Sequence, residues 1–179
     1  DWQAGLAPTY LNLGGPHNVA TVMTVHNIAF QGLAPAAMLG TMGLPLSSFT
    51  SEGLEYWGQI STLKAGLVDA DAITTVSPTY AAELMRPEFG MGLDGLIAHR
   101  AADLSGILNG IDMDVWNPAT DPEITPYSAT AIKGKTKNRK ALMAEFGLSG
   151  ITGPLAIVVS RLTSQKGMDL IADTANQFI

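Results

Sequence analysis

Cysteine is absent from the 179 residues, which excludes disulfide staples and thiolate-ligated metal centres. A chain of this length buries roughly 70% of its unfolded surface without staples, and the lack of thiols fits a reducing compartment. Histidine is scarce as well. His17, His26 and His99 are scattered, so no metal-ligand spacing is recognisable and no metal is expected. Positive charge is in deficit, with 10 Lys and Arg against 16 Asp and Glu, and the net charge of −6 argues against a nucleic-acid partner. The one basic run, Lys133, Lys135, Lys137, Arg139 and Lys140, lies near Asp121, Glu123 and Glu145 and reads as a solvated helix start. No apolar run approaches the roughly 20 residues that span a bilayer. With no basic-then-apolar leader either, the expectation is a soluble, cytoplasmic protein with no membrane partner. An initiator Met is missing, and Leu170, Ile171, Ala175, Phe178 and Ile179 keep a helical period up to the last residue, so both ends read as interior to a longer fold.

What is present alternates between strand and helix patterns. Asp1 to Leu13 reads as a short helix ended by Gly14-Gly15-Pro16. Val19 to Val25 reads as a buried, β-branched strand with His26-Asn27 at its carboxyl end. A polar, glycine-rich stretch from Gln31 to Glu55 precedes a helix over Ser61 to Val68. Ala72 to Val76 is the next strand, and Ser77-Pro78 caps a helix over Thr79 to Met85. Gly95 to Ala102 reads as helical and Leu104 to Leu108 as a short strand ending at Asn109-Gly110. Proline and polar residues dominate Asp114 to Tyr127, as in a linker, and a helix over Lys137 to Phe146 follows. The apolar run Leu155 to Val159, bounded by Pro154, reads as a buried parallel strand, with a helical segment beginning at Gly167. Such alternation indicates an α/β fold with a parallel sheet, whose ligands bind beyond the carboxyl ends of the strands.

Three strand ends carry polar groups: His26-Asn27, Asn109-Gly110 and Ser160-Arg161. The loop Ser160-Arg161-Leu162-Thr163-Ser164-Gln165-Lys166-Gly167 suits a diphosphate, since Arg161 offers a planar fork, Lys166 a mobile point charge, and a strand-to-helix turn free backbone N–H groups. A solvated loop with a helix-start Ser or Thr fits the spacing equally well. Gly90, Gly92 and Gly95 match G-x-G-x-x-G with Asp112 about twenty residues on, but Arg86-Pro87-Glu88-Phe89 is no buried strand, so the dinucleotide reading is rejected.

TVHNIAFQG (Thr24 to Gly32), LKAGLVDADAITTVSPTYAAEL (Leu63 to Leu84), GILNGIDMDVWNP (Gly106 to Pro118), VVSRLTSQKGMDL (Val158 to Leu170) and the opening DWQAGLAPTYL resemble bacterial glycogen synthase and plant starch synthase, in the same order and over nearly the whole chain. The resemblance implies a two-domain, GT-B type glycosyltransferase with Rossmann-like parallel sheets, both domains incomplete. Residues 1–112 would be the later part of the first domain, 113–136 the interdomain linker and 137–179 the start of the nucleotide-sugar domain. The implied reaction transfers glucose from ADP-glucose to the non-reducing end of an α-1,4-glucan with retention. ADP-glucose is then a substrate, glycogen or starch the acceptor, and no cofactor is needed. A plastid location is implied instead of the cytoplasm for a plant source.

On matching positions, Arg161 and Lys166 resemble the pair that binds the distal phosphate and stabilises the leaving ADP. His26 resembles the histidine that contacts the transferred glucose near C6, with a strand-end cap as the plain alternative. Asn27 is expected to support that turn. Asn109 resembles an asparagine that meets the sugar or acceptor, and Asp1 and Trp2 a pair lining the glucose and acceptor sites, with Asp1 expected to be poorly placed as a terminus. Gly110 is read as a backbone position needing positive φ. The family's K-x-G-G-L motif and late carboxylate motif are not in the chain, so these 179 residues alone are expected to lack transferase activity.

Weaker signals remain. Glu52 and Glu55 could pair for glycoside hydrolysis, but surface glutamates in a loop fit better. Phe30, Phe49, Tyr56 and Trp57 could stack on sugar rings or serve as packing anchors. Two rivals stay open: a related retaining transferase using another nucleotide sugar, such as a sucrose synthase, and a non-catalytic glucan-binding homologue.

Overall fold

A computed structural model describes residues 1–148, 150 and 152–177, and the chain divides into two compact units, Asp1–Gly110 and Ile111–Ile179. In chain order the first unit runs α1 (Leu6–Leu13), β1 (Val22–Val25), β2 (Leu33–Pro35), β3 (Glu55–Tyr56), β4 (Gln59–Ser61), α2 (Thr62–Asp69), β5 (Ala72–Thr75), α3 (Pro78–Leu84), α4 (Asp94–His99) and β6 (Leu104–Gly106). Its main sheet is parallel, in the order β1-β5-β6. Val25 pairs with Thr75 and Thr75 with Gly106, so β1 and β6 end level and the residues after them leave the sheet on one side.

The β-branched positions of β1 and β5 drive this pairing, because their alternate side chains enter the core beside α2, α3 and α4. Met23, Val25, Ile28, Leu63, Leu67, Ile73, Leu84, Leu93 and Ile97 are buried together. Polar strand positions are matched across the sheet: Thr24 Oγ1 lies 2.8 Å from Thr74 Oγ1, and Thr75 Oγ1 donates to the Val25 carbonyl at 2.7 Å. Helix starts follow their caps. Ser61 Oγ accepts from the Lys64 N–H at 3.0 Å, and Ser77 Oγ from the Tyr80 N–H at 2.9 Å with Pro78 in the first turn.

The end of α2 is closed by Arg100, to which no local pattern of residues points. Arg100 donates from one guanidinium nitrogen to the Leu67 and Val68 carbonyls at 2.9 and 3.0 Å, and from another to the Ala70 carbonyl at 2.7 Å. Its Nε holds Asp103 at 2.7 Å. A cation at the negative end of a helix, forked onto carbonyls that have no partner in the helix, satisfies charge and hydrogen bonding together.

Strand bounds are tighter than the composition suggests. β1 starts at Val22, with Val19 more than half exposed, and β6 ends at Gly106, although the Ile107 N–H still donates to the Thr75 carbonyl at 2.8 Å. The stretch read as polar and glycine-rich from Gln31 to Glu55 holds β2 and the start of β3, which join β4 in an antiparallel sheet, in the order β2-β4-β3, beside a second core of Leu39, Leu44, Leu54, Ile60 and Ala65.

The second unit contains α5 (Gly134–Glu145) and α6 (Met168–Thr174). α5 starts three residues before Lys137, where Asn138 exchanges hydrogen bonds with the Thr125 backbone at 2.7 and 2.9 Å and draws the preceding turn against the helix. The expected strand over Leu155 to Val159 is not formed: no strand is present among the described residues of this unit, and Val159 is 92% exposed. A strand exists only as one side of a ladder, and none of the described residues of this unit supplies a neighbour. The helical period expected at Phe178 and Ile179 lies outside the described residues. No helix among the described residues is long and apolar enough to cross a membrane.

Candidate functional site

At the carboxyl end of β1 the chain turns sharply, and Asn27 makes that turn: its Oδ1 accepts the Ala29 N–H at 3.0 Å and its carbonyl the Phe30 N–H at 3.3 Å. His26 is left exposed at the strand end. Asp1 reaches it across the sheet edge, Oδ1 accepting the His26 N–H at 2.8 Å and Oδ2 lying 3.0 Å from Nδ1. The expectation that Asp1 is poorly placed is not met, because both of its carboxylate oxygens are held against His26.

Trp2 is seated from below. Thr62 Oγ1 donates to the Trp2 carbonyl at 2.7 Å, and Gly32, at φ +62°, passes so close that a Cβ there would lie 2.8 Å from Trp2 Cβ and 2.2 Å from Thr62 Oγ1. A cleft of about 450 Å³ opens beside it, lined by Trp2, Phe30, Gln31, Leu33, Met42 and Thr62. Gln31 is buried, its amide donating to the Ile28 carbonyl at 2.7 Å. Gln31, Gly32 and Thr62 carried no signal of their own, since each acts through contacts some 30 to 60 residues away in sequence.

Asn109 and Gly110 follow β6 on the same side of the sheet as His26, both exposed. Gly110 needs no left-handed backbone: its φ lies outside that region, and a Cβ there would meet nothing within 4 Å. The conformational reason given for it does not hold.

In the second unit Arg161 and Lys166 are exposed on one loop, and neither side chain has a protein partner among the described residues. The loop is nonetheless shaped by hydrogen bonds: Thr163 N–H to the Arg161 carbonyl at 2.9 Å, Lys166 N–H to the Thr163 carbonyl at 3.0 Å and Gly167 N–H to the Ser164 carbonyl at 2.8 Å. Gly167, at φ +67°, then turns the chain into α6. Among the described residues no three His, Asp or Glu side chains gather to hold a metal. The rejected Gly90-Gly92-Gly95 pattern sits in turns and the start of α4, with no strand before it.

A parallel α/β sheet with polar groups gathered beyond its strand ends defines a Rossmann-like domain. Residues 1–99 match the family model described as the starch synthase catalytic domain, and the chain belongs to that family. It is 60% identical over all 179 residues to a glycogen synthase of Cereibacter sphaeroides, of which it covers 37%, and 58% identical over 173 residues, 97% of its length, to a glycogen synthase of Paracoccus denitrificans, of which it covers 35%. The catalytic domain of starch synthase IV from Arabidopsis thaliana, solved with ADP and acarbose, superposes with a TM-score of 0.82 at 35% identity, over 99% of this chain and 38% of that one. The fold is accordingly a partial GT-B fold, and the chain spans little more than a third of the length of these relatives.

Proposed function

We propose that the full-length protein carrying this chain is a retaining glucosyltransferase that moves glucose from ADP-glucose to the non-reducing end of an α-1,4-glucan, as a glycogen or starch synthase. The observation that carries this reading is the 60% identity, over every residue of the chain, to a glycogen synthase. In this reading residues 1–112 belong to the first domain, 113–136 to the linker and 137–179 to the nucleotide-sugar domain, and the protein is cytoplasmic or plastidic.

The chemistry assigns roles. As the bond from glucose C1 to the distal phosphate oxygen breaks, negative charge grows on the leaving ADP. Arg161 and Lys166 meet that charge, the first as a fork and the second as a point charge, and stabilise it more in the transition state than in the ground state. The acceptor's 4-hydroxyl forms the new bond to C1 and passes its proton to the departing phosphate oxygen of ADP, on which the negative charge has grown. With Nδ1 turned to Asp1, His26 keeps Nε2 for the glucose, Asn27 holds the turn, and Trp2 with Asn109 and the Gly110 backbone bounds the sugar and acceptor. The 179 residues alone lack transferase activity in this reading, because the remaining parts of both domains are needed to enclose the donor.

The test is transfer of labelled glucose from ADP-glucose to glycogen by the full-length enzyme, wild type beside Lys166→Ala, with UDP-glucose as competing donor. The expected loss in the variant is roughly 10²- to 10³-fold in kcat, as for removal of one preorganised charge stabiliser. Equal rates would remove Lys166 from the mechanism, and preference for UDP-glucose would refute the donor.

A further inference from the structure

Among the described residues only two besides glycine have left-handed backbone, Trp57 at φ +50° and Met91 at φ +52°. They meet at one place on the surface of the first unit. The hydroxyl of Tyr56, the neighbour of Trp57, donates to the Met91 carbonyl. A Cβ at Gly92 would lie 3.3 Å from Trp57 Nε1 and 3.5 Å from Tyr56 Oη, so the Met91-Gly92 backbone runs against both rings. The two rings stand edge to face, 6.3 Å apart at 80°. Trp57 and Gly58 form the tip between β3 and β4, where the Gly58 N–H donates to Glu55 Oε1 at 2.6 Å.

A hairpin tip with two left-handed residues favours Asn or Gly at its first position. This chain has its bulkiest residue type there, and the side chain is 80% exposed. Burial therefore does not account for it. A bulky residue in this conformation is an outlier, held only where its surroundings over-determine it, as at ligand clamps.

We propose that Trp57, braced by Tyr56 and Met91, is a platform that holds an α-1,4-glucan chain on the enzyme surface, outside the transfer site. The indole face takes the apolar C–H face of a glucose ring, and its N–H, with the side chains of Glu55 and Gln59, takes hydroxyls. The chemistry favours a sugar over a protein, because Met91 adds one half-exposed apolar side chain beside the ring while Gly58, Gln59 and Gly92 are small or polar, which leaves a narrow apolar face rimmed by polar groups and not the broad apolar patch of a protein interface. This inference rests on the glucan-elongating function proposed above.

The test uses the full-length enzyme in native gels cast with and without glycogen, wild type beside Trp57→Gly, with initial rates on glycogen and on maltotriose. Glycine suits the left-handed backbone, so the variant keeps its Tm. Its apparent Kd and KM for glycogen are expected to rise about tenfold, close to 1.4 kcal/mol, with rates on maltotriose within about twofold of wild type. Unchanged retardation by glycogen overturns the platform, and if Tm also falls, the ring is packing against another part of the protein. An equal loss on maltotriose overturns it too, by assigning Trp57 to the transfer site. A wild-type enzyme that neither binds nor elongates glycogen refutes the function itself, whereas an active wild type with an unshifted variant refutes only the platform.

Discussion

The Asp1 carboxylate grips His26 at two atoms, the backbone N–H at 2.8 Å and Nδ1 at 3.0 Å, so the orientation of the imidazole is tied to a residue 25 positions earlier. With Nδ1 facing a carboxylate, Nε2 faces outward whichever proton the ring carries. Asp1 is a positioning residue in this arrangement, and its loss should misplace the ring without removing it. In the full-length enzyme Asp1→Ala is expected to lower kcat about 10²-fold, the scale of a misplacement near 1 Å, with Asp1→Asn in between because its amide oxygen still accepts the backbone N–H. Separate kcat and KM values for ADP-glucose check this. Wild-type kcat in both variants would disconnect Asp1 from the chemistry.

Gly32 sets the seat of Trp2. Replacing it with Ala forces a Cβ to within 2.2 Å of Thr62 Oγ1 in a backbone that already has φ +62°, and the helical turn Trp2–Ala4 and α2 hold the neighbours in place. The expected cost is about 2–3 kcal/mol, combining overpacking with left-handed strain. Urea unfolding of wild type and Gly32→Ala measures it. A change in midpoint too small to resolve would mean that Trp2 and Thr62 move apart freely.

Much of this was legible in the sequence where local chemistry decides the outcome. Ser61 and Ser77-Pro78 announce helix starts, and the Ala72 to Val76 run announces a central strand, because caps and β-branched runs act over a few residues. The small sheet of β2, β3 and β4 was hidden, since strands of two or three residues with Pro35 in one of them carry no period. Leu155 to Val159 misled for the opposite reason: the pattern is that of a strand, but pairing is a property of two segments. Among the candidate residues, the types at His26 in the first unit and at Arg161 and Lys166 in the second were readable, whereas the contacts of Asp1, Gly32 and Thr62 are made only by folding.

Arg100 tests how far one partly buried fork can hold a helix end. Its side chain is 17% exposed, and its removal leaves the carbonyls of Leu67, Val68 and Ala70 without their donor. Arg100→Met is expected to cost about 2–3 kcal/mol, since these are hydrogen bonds from a charged group. Arg100→Lys should recover only part of this, because an ammonium cannot span three carbonyls with a planar fork. Chemical denaturation of the three proteins decides it, and a Lys variant equal to wild type would reduce the fork to a point charge.

The acid sensitivity of the first unit should run through Asp71. Its Oδ2 accepts the Thr21 backbone N–H at 2.6 Å and the Thr21 hydroxyl at 2.9 Å, tying the start of β5 to the residue before β1. The backbone hydrogen bond first, then the hydroxyl, with a smaller contribution from the charge of His17, hold its pKa below the ordinary 3.8. In the unfolded chain the same carboxyl titrates at its ordinary value, so between the two pKa values the unfolded state binds more protons and stability rises with pH. The contribution is whole above 3.8 and is lost as pH falls through the lower, folded value. Asp71→Asn removes this dependence: the variant should be less stable than wild type near neutral pH, with the gap in Tm closing as pH falls below 3.8 and through the lower, folded value. Thermal melts across that range check the sign. A gap that stays constant down to the lowest pH would mean that the neutral carboxyl serves Thr21 as well as the carboxylate does.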